Sequence, residues 1–143
     1  MKLPDVNLLV YAVDESSRHH TRIRPWLEQA LSGTEEVGFA WMVLLGFLRI
    51  STNPVAFDNA LSTERAFEFV DSWLGSPVVT VVHPNEGHAN RLRDLLTPVG
   101  TAGNLTTDAH LAALAIEHGG EVCSSDNDFA RFEGLRWFNP LAS

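Results

Sequence analysis

The chain has a single cysteine, Cys123, which excludes an intramolecular disulfide and any metal site built from several thiolates. Cys123 falls in a short apolar run, where a thiol packs rather than reacts. No stretch approaches the ~18 apolar residues needed to cross a membrane. Nor does Met1-Lys2-Leu3-Pro4-Asp5 read as a secretory leader, because Asp5 and Asn7 interrupt the apolar segment and no small-residue cleavage site follows. A cytoplasmic protein with no membrane contact is the expectation. Basic residues are scarce as well: 10 Lys and Arg stand against 18 Asp and Glu, a formal net charge of −8. That balance argues against broad electrostatic attraction to nucleic acid or anionic lipid. It leaves room for a phosphate substrate bridged by a divalent cation, since acid clusters recruit such ions. The six histidines are scattered without zinc-site spacing, and the adjacent His19-His20 pair faces two directions on a helix.

Repeats, low-complexity tracts and linkers are absent too, and 143 residues suit one domain, so a single domain over 1–143 is expected. What the chain does have is a regular alternation of short apolar runs and amphipathic segments. Leu3 to Val6 reads as a strand, and Leu8 to Val13 continues as an apolar segment open to either helix or strand. His19 to Leu31 reads as a helix burying Ile23, Trp26, Leu27, Ala30 and Leu31. Its arginines, Arg18, Arg22 and Arg24, form a local basic face, a solvated surface that is also the best basic patch for RNA. Val37 to Ala40 is a second strand. Trp41 to Ile50 is apolar nearly all round, a core helix or a surface between copies, with Gly46 in its middle implying close packing.

Thr63-Glu64 opens a further helix with Ala66, Phe67, Val70, Trp73 and Leu74 on one face. Val78 to Val82 lacks alternation, the pattern of a strand covered on both faces. Asn85 to Leu96 returns to helical spacing with Ala89, Leu92, Leu95 and Leu96 inward, and 98–103 is a loop. Thr106 or Thr107 caps the next helix, whose Leu111, Leu114, Ala115 and His118 recur at helical spacing until Gly119-Gly120 ends it. Glu121 to Ser124 is a strand, Asn127 to Arg131 a helical turn, and Leu135 to Phe138 a last strand. Strands of this length alternating with helices give a parallel sheet with helices on both faces.

Four acids occupy positions that such a sheet brings together. Asp5 follows the first strand, Asp108 opens a late helix, and Asp126 and Asp128 follow a later strand. Each has an ordinary structural reading as a helix cap or turn residue. An acid inside an apolar stretch, as Asp5 is, costs several kcal/mol to bury unpaired, so it is either a cap or a ligand to something positive. At one sheet edge the four would raise one another's pKa, and a bound cation is the usual means of keeping them ionised. Mg²⁺ or Mn²⁺ takes oxygen ligands and suits a phosphodiester substrate.

The pieces LPDVNLLVYAVD, WMVLLGFLRISTNP, TTDAHLAALAIEHG, SSDNDFARF and LRWFNP, in that order over nearly the whole chain, resemble the PIN-domain family and within it the VapC-type toxins of toxin–antitoxin pairs. The resemblance implies a three-layer α/β/α fold around a mainly parallel five-stranded sheet. It also implies Mg²⁺-dependent endoribonuclease activity, with Mn²⁺ as an alternative ion, through an activated water. It further implies a homodimer and a cognate antitoxin whose C-terminal segment occupies the active-site groove. By position, Asp5 and Asp108 match metal-binding aspartates, Asp126 and Asp128 the segment supplying the remaining acid, and Asn7 a polar neighbour of the first. One departure stands out: the family commonly carries a glutamate at the position matching Gly46. Asp14, Glu15 or Glu36 could replace it, or the site runs on three acids, or metal binding is weak. Two other readings stay open: a catalytically weakened domain that binds an antitoxin-like protein or RNA, and a small Mg²⁺-dependent phosphatase. The phosphatase lacks an aspartate nucleophile motif with a nearby lysine.

Overall fold

In the computed structural model, which describes residues 1–100 and 102–142, five short strands form one sheet and every pairing is parallel. They are β1 (Lys2–Pro4), β2 (Val37–Phe39), β3 (Val79–Val81), β4 (Glu121–Cys123) and β5 (Trp137–Phe138), in the spatial order β3-β2-β1-β4-β5. The helices are α1 (Val6–Val13), α2 (His20–Ser32), α3 (Trp41–Ser51), α4 (Thr63–Leu74), α5 (His88–Leu96) and α6 (Thr106–Glu117). The crossovers from β1 through β2 to β3 carry α1 to α4 and the jump back from β3 to β4 carries α5 and α6, and crossovers of the usual right hand put these two groups on opposite faces of the sheet. The three expected layers are there. The direction of winding reverses between β1 and β4, and in open α/β sheets ligands bind beyond the carboxyl ends of the strands at that reversal.

Local chemistry explains most boundaries. Asp5 lies in extended backbone and accepts from the Val6 N–H at 2.8 Å, which starts a helix and settles the open reading of 8–13. Ser62 caps α4 by accepting from Arg65 N at 3.1 Å. Gly119, at φ +65°, takes the left-handed conformation just past α6. Several expectations are corrected. Neither Thr106 nor Thr107 caps α6: the helix is entered from a 3-10 turn over Gly103–Leu105, and Thr106 Oγ1 donates to the Gly103 carbonyl at 3.0 Å instead. β3 is an edge strand rather than a covered one, with Thr80 turned out to donate to Glu36 at 2.8 Å. Ala89 and Phe67 point outward, and His118 is exposed beyond α6, its Nε2 2.9 Å from the His83 carbonyl. Within the expected loop 98–103, Thr101 lies outside the described residues.

The core runs continuously through the sheet, from Leu3, Phe39, Val122 and Cys123 to Phe47, Leu111 and Leu114, all buried. Burial pushes the Cys123 thiol up to about 12, so it stays protonated and inert, as its place in the strand implies. On the far face, α5 and α6 are joined by polar contacts. The buried Glu117 carboxylate accepts from Asn85 N at 3.0 Å, lies 2.6 Å from His88 Nδ1, and faces Arg91 Nε at 3.6 Å. His88 Nε2 in turn lies 2.8 Å from His110 Nδ1. The facing ring nitrogens form a hydrogen bond, and they are not two lone pairs converging on an ion.

The apolar helix α3 is core along most of its length, with one face left exposed. Val43, Leu44, Gly46 and Phe47 are buried, while Trp41 and Leu45 on one face are 45% and 58% exposed. Gly46 sits against α1, and a Cβ there would come within 2.8 Å of Val6 Cγ2. The glycine is a contact requirement. Gly46→Ala should therefore lower stability by about 1–3 kcal/mol from overpacking, less about 1 kcal/mol of helix propensity. Adding Val6→Ala should recover part of the loss in thermal melts, because it removes the methyl that clashes. A stabilised single variant would overturn the packing account.

Candidate active site

The carboxyl ends of β1 and β4 are held together by one buried hydroxyl. Ser124, directly after β4, donates to Asp5 Oδ2 at 2.8 Å and accepts from Asn7 Nδ2 at 3.2 Å and from the Asp126 N–H at 3.0 Å. The Asp5 N–H is itself bonded to the Cys123 carbonyl at 2.9 Å, which continues the β1–β4 ladder up to the acid. Asp5 is thus both the helix cap and a member of the site. Asp126 then caps the 3-10 turn over Asn127–Arg131, accepting from Asp128 N at 2.9 Å. Because α6 runs back toward the start of β4, its first turn lies at this same edge and brings Asp108 to the others.

The structure brings three of the four expected acids into one group and leaves Asp5 beside it. Carboxylate oxygens of Asp108, Asp126 and Asp128 all lie within 4.8 Å of one another, and this is the one group of three or more potential metal donors among the described residues. Asp108 is half-buried and pushed up to about 6, first by burial and then by the charges of Asp5, Asp126 and Asp128. Asp5 is raised chiefly by burial, with the Ser124 hydroxyl and Val6 N–H working the other way and the Asp126 charge adding to the rise. Asp126 is tied to Asp5 through Ser124 and stands within 4.8 Å of Asp108, whereas Asp128 is exposed and stands 4.0 Å from Arg131. Of the two, Asp126 is the more central.

An all-oxygen donor set under mutual repulsion fits a hard divalent cation such as Mg²⁺ or Mn²⁺. A second observation agrees with it. Asn7 Oδ1 is buried at this edge with no hydrogen-bond partner among the described residues, an acceptor that a cation or its hydration shell would satisfy. Among the described residues, none of Asp14, Glu15 and Glu36 takes the place of a glutamate at Gly46. Asp14 is bonded to Ser16 beyond α1, and Glu15 borders a groove between α2 and α4. Glu36 lies at the opposite edge, its carbonyl bonded to Lys2 N at the start of β1. A cavity of about 280 Å³ between α2 and α4 also lies away from the carboxylates. Sequence reasoning missed Ser124, a hydroxyl residue just past β4 with no local signal of its role.

The PIN domain family matches residues 2–135 of the chain. Ribonuclease VapC37 of Mycobacterium tuberculosis is 49% identical over 142 residues, covering 99% of both chains, and ribonuclease VapC33 of the same species is 40% identical over 141 residues, again covering 99% of each. Among solved structures, VapBC2 from Rickettsia felis bound to a promoter DNA fragment aligns with a TM-score of 0.71 at 17% identity, over 96% of this chain and 97% of that one. DNA-bound VapBC from Salmonella typhimurium aligns at 0.67 and 18% identity, over 97% of both. With the acids gathered where strand order reverses, and relatives matched from end to end, the chain belongs to the PIN-domain family, in its VapC branch.

Proposed function

We propose that this protein is a metal-dependent endoribonuclease, the toxin half of a toxin–antitoxin pair that works in the cytoplasm as one PIN domain. The observation that carries the reading is the gathering of Asp108, Asp126 and Asp128 within 4.8 Å, with Asp5 beside them and Asp108 pushed up to about 6. Asp108, Asp126, Asp128 and Asp5 would hold Mg²⁺ or Mn²⁺. The ion, when bound, supplies Lewis-acid stabilisation of the phosphate and lowers the pKa of the attacking water.

The chain's own residues do the positioning. Ser124 fixes Asp5 and Asp126 through its three hydrogen bonds, and Asn7 offers an unpartnered oxygen to the same space. Relatives named ribonucleases and neighbours solved as VapBC complexes support the RNA substrate and a cognate antitoxin partner. The exposed Trp41 and Leu45 face of α3 supports a homodimer. Gly46 favours the competing reading, a binding domain with weakened chemistry, because it leaves the site without a glutamate.

Cleavage of a mixed single-stranded RNA pool in Mg²⁺ or Mn²⁺ should stop in EDTA, and Asp108→Asn should lose about 10²-fold or more in rate. Folded wild type that cleaves nothing across metals and RNAs would transfer the weight to the binding reading. Ser124→Ala should cost about 10- to 100-fold in metal affinity or activity, as losses of ligand-orienting groups do. Full activity in that variant would remove the positioning role.

Stability offers a readout independent of turnover. A carboxyl whose folded pKa lies above its unfolded value contributes stability that is present below the unfolded value and lost as pH rises through the folded one. Between about pH 4 and 6, metal-free wild type should thus lose stability relative to Asp108→Asn. Mn²⁺ at pH 7 should raise the melting temperature of wild type and not of the variant. Equal shifts in both proteins would separate metal binding from Asp108.

A further inference from the structure

The turn joining α1 to α2 gathers an aromatic pair and a guanidinium at the same edge of the sheet as the carboxylates. Tyr11 is one helical turn beyond Asn7 on α1, so its side chain leaves the same side of the helix about 6 Å further along. The Tyr11 and His19 rings lie with centroids 4.8 Å apart and planes at 57°. The first turn of α2 is anchored at this edge, because Arg22 donates to the Leu141 carbonyl at 3.0 Å and the Pro140 carbonyl at 3.4 Å, just past the carboxyl end of β5. Hydrogen bonds fix the turn itself. Asp14 Oδ1 accepts from the Ser16 N–H at 3.1 Å and its hydroxyl at 2.6 Å, Ser17 Oγ accepts from the His19 N–H at 3.1 Å, and His20 Nδ1 lies 2.9 Å from the Tyr11 carbonyl.

Charge distinguishes one arginine from its neighbours. Arg24 is paired with Glu28 at 2.9 Å and Arg22 is committed to the two carbonyls. Arg18 is exposed and uses only its Nε, 3.4 Å from His19 Nε2, so its terminal amino groups have no partner among the described residues. Tyr11 and His19 are each half-buried, which leaves ring surface open beside that guanidinium. In a chain of net charge −8, a strand of RNA needs such a local cation away from the acids. An unstacked base needs an aromatic surface.

We propose that His19, Tyr11 and Arg18 form a nucleotide subsite next to the scissile phosphate: the base stacks on the His19–Tyr11 pair and Arg18 takes the flanking phosphate. The proposal rests on the reading of this protein as a ribonuclease and gives its site a means of gripping single-stranded RNA. His19 and Tyr11 supply the base contact, and Arg18 supplies the charge.

The test is anisotropy binding of a labelled single-stranded oligoribonucleotide at low ionic strength in EDTA, where cleavage is stopped. His19→Ala and Tyr11→Leu should each weaken binding about 5- to 20-fold, with Tyr11→Phe equal to wild type. An oligonucleotide series with one base removed at successive positions should show a position whose loss costs wild type the same factor and costs His19→Ala nothing more. Arg18→Ala should reduce the salt dependence of binding by about one counterion. A merely structural role for the aromatic pair would leave base removal equally costly in both proteins, and that result overturns the subsite, as does wild type that binds none of the strands. Metal-dependent cleavage lost in Asp108→Asn, with no base coupling at His19, would leave the nuclease reading standing and remove the subsite. Base-coupled binding without cleavage in any metal would do the reverse.

Discussion

A single hydroxyl bond ties together two ends of the chain 119 residues apart: Ser124 to Asp5, at 2.8 Å. Everything chemical at the sheet edge depends on it. The parallel register of β1 with β4 brings Pro4 opposite Cys123, and the next residue on each strand then supplies the carboxylate and the hydroxyl. The same hydroxyl takes the Asp126 N–H, so the backbone that carries the third acid is fixed by the atom that orients the first. In a buried position such bonds are strong, and costly to break because the groups they join would then be left without partners. The α6 start reaches this point from the other face of the sheet, and the Glu117 contacts with α5 hold its far end.

The cost of that gathering is visible in Asp108. Its ionisation is resisted by burial and by three neighbouring acids, so the metal-free protein stores repulsion at the very place where a cation would release it. Function and stability pull in opposite directions there, as they do wherever like charges are held for binding.

Much of this was legible in the sequence. Alternation of short apolar runs with helical spacing marked the layers and the parallel sheet; acids just past strand ends marked Asp5, Asp126 and Asp128, a helix start marked Asp108, and the fold brings the last three within 4.8 Å of one another. What was not legible depended on tertiary context. Val78 to Val82 looks the same at a sheet edge as at its centre, because β-branched residues suit either, and the place of β3 in the strand order decides it. Ala89 and Phe67 were assigned inward by spacing alone, while packing used His88 and Phe69 instead. Ser124 and the Tyr11–His19 pair carried no local signal, since their partners are set by loops and register. Gly46 signalled tight packing in the sequence, and only Val6 explains it.

The contacts between α5 and α6 fix more than distance. Histidine tautomers follow from the bonds each ring makes. With both rings neutral, the Glu117 carboxylate can only accept, so His88 carries its proton on Nδ1 and presents a lone pair at Nε2. His110 must then be protonated on Nδ1, and its free lone pair is at Nε2. Donors and acceptors thus run in one direction from the end of α6 back toward its beginning. A half-turn flip of either imidazole would put a ring carbon where a nitrogen now bonds and break the chain, so the bonds fix the ring orientation at both positions.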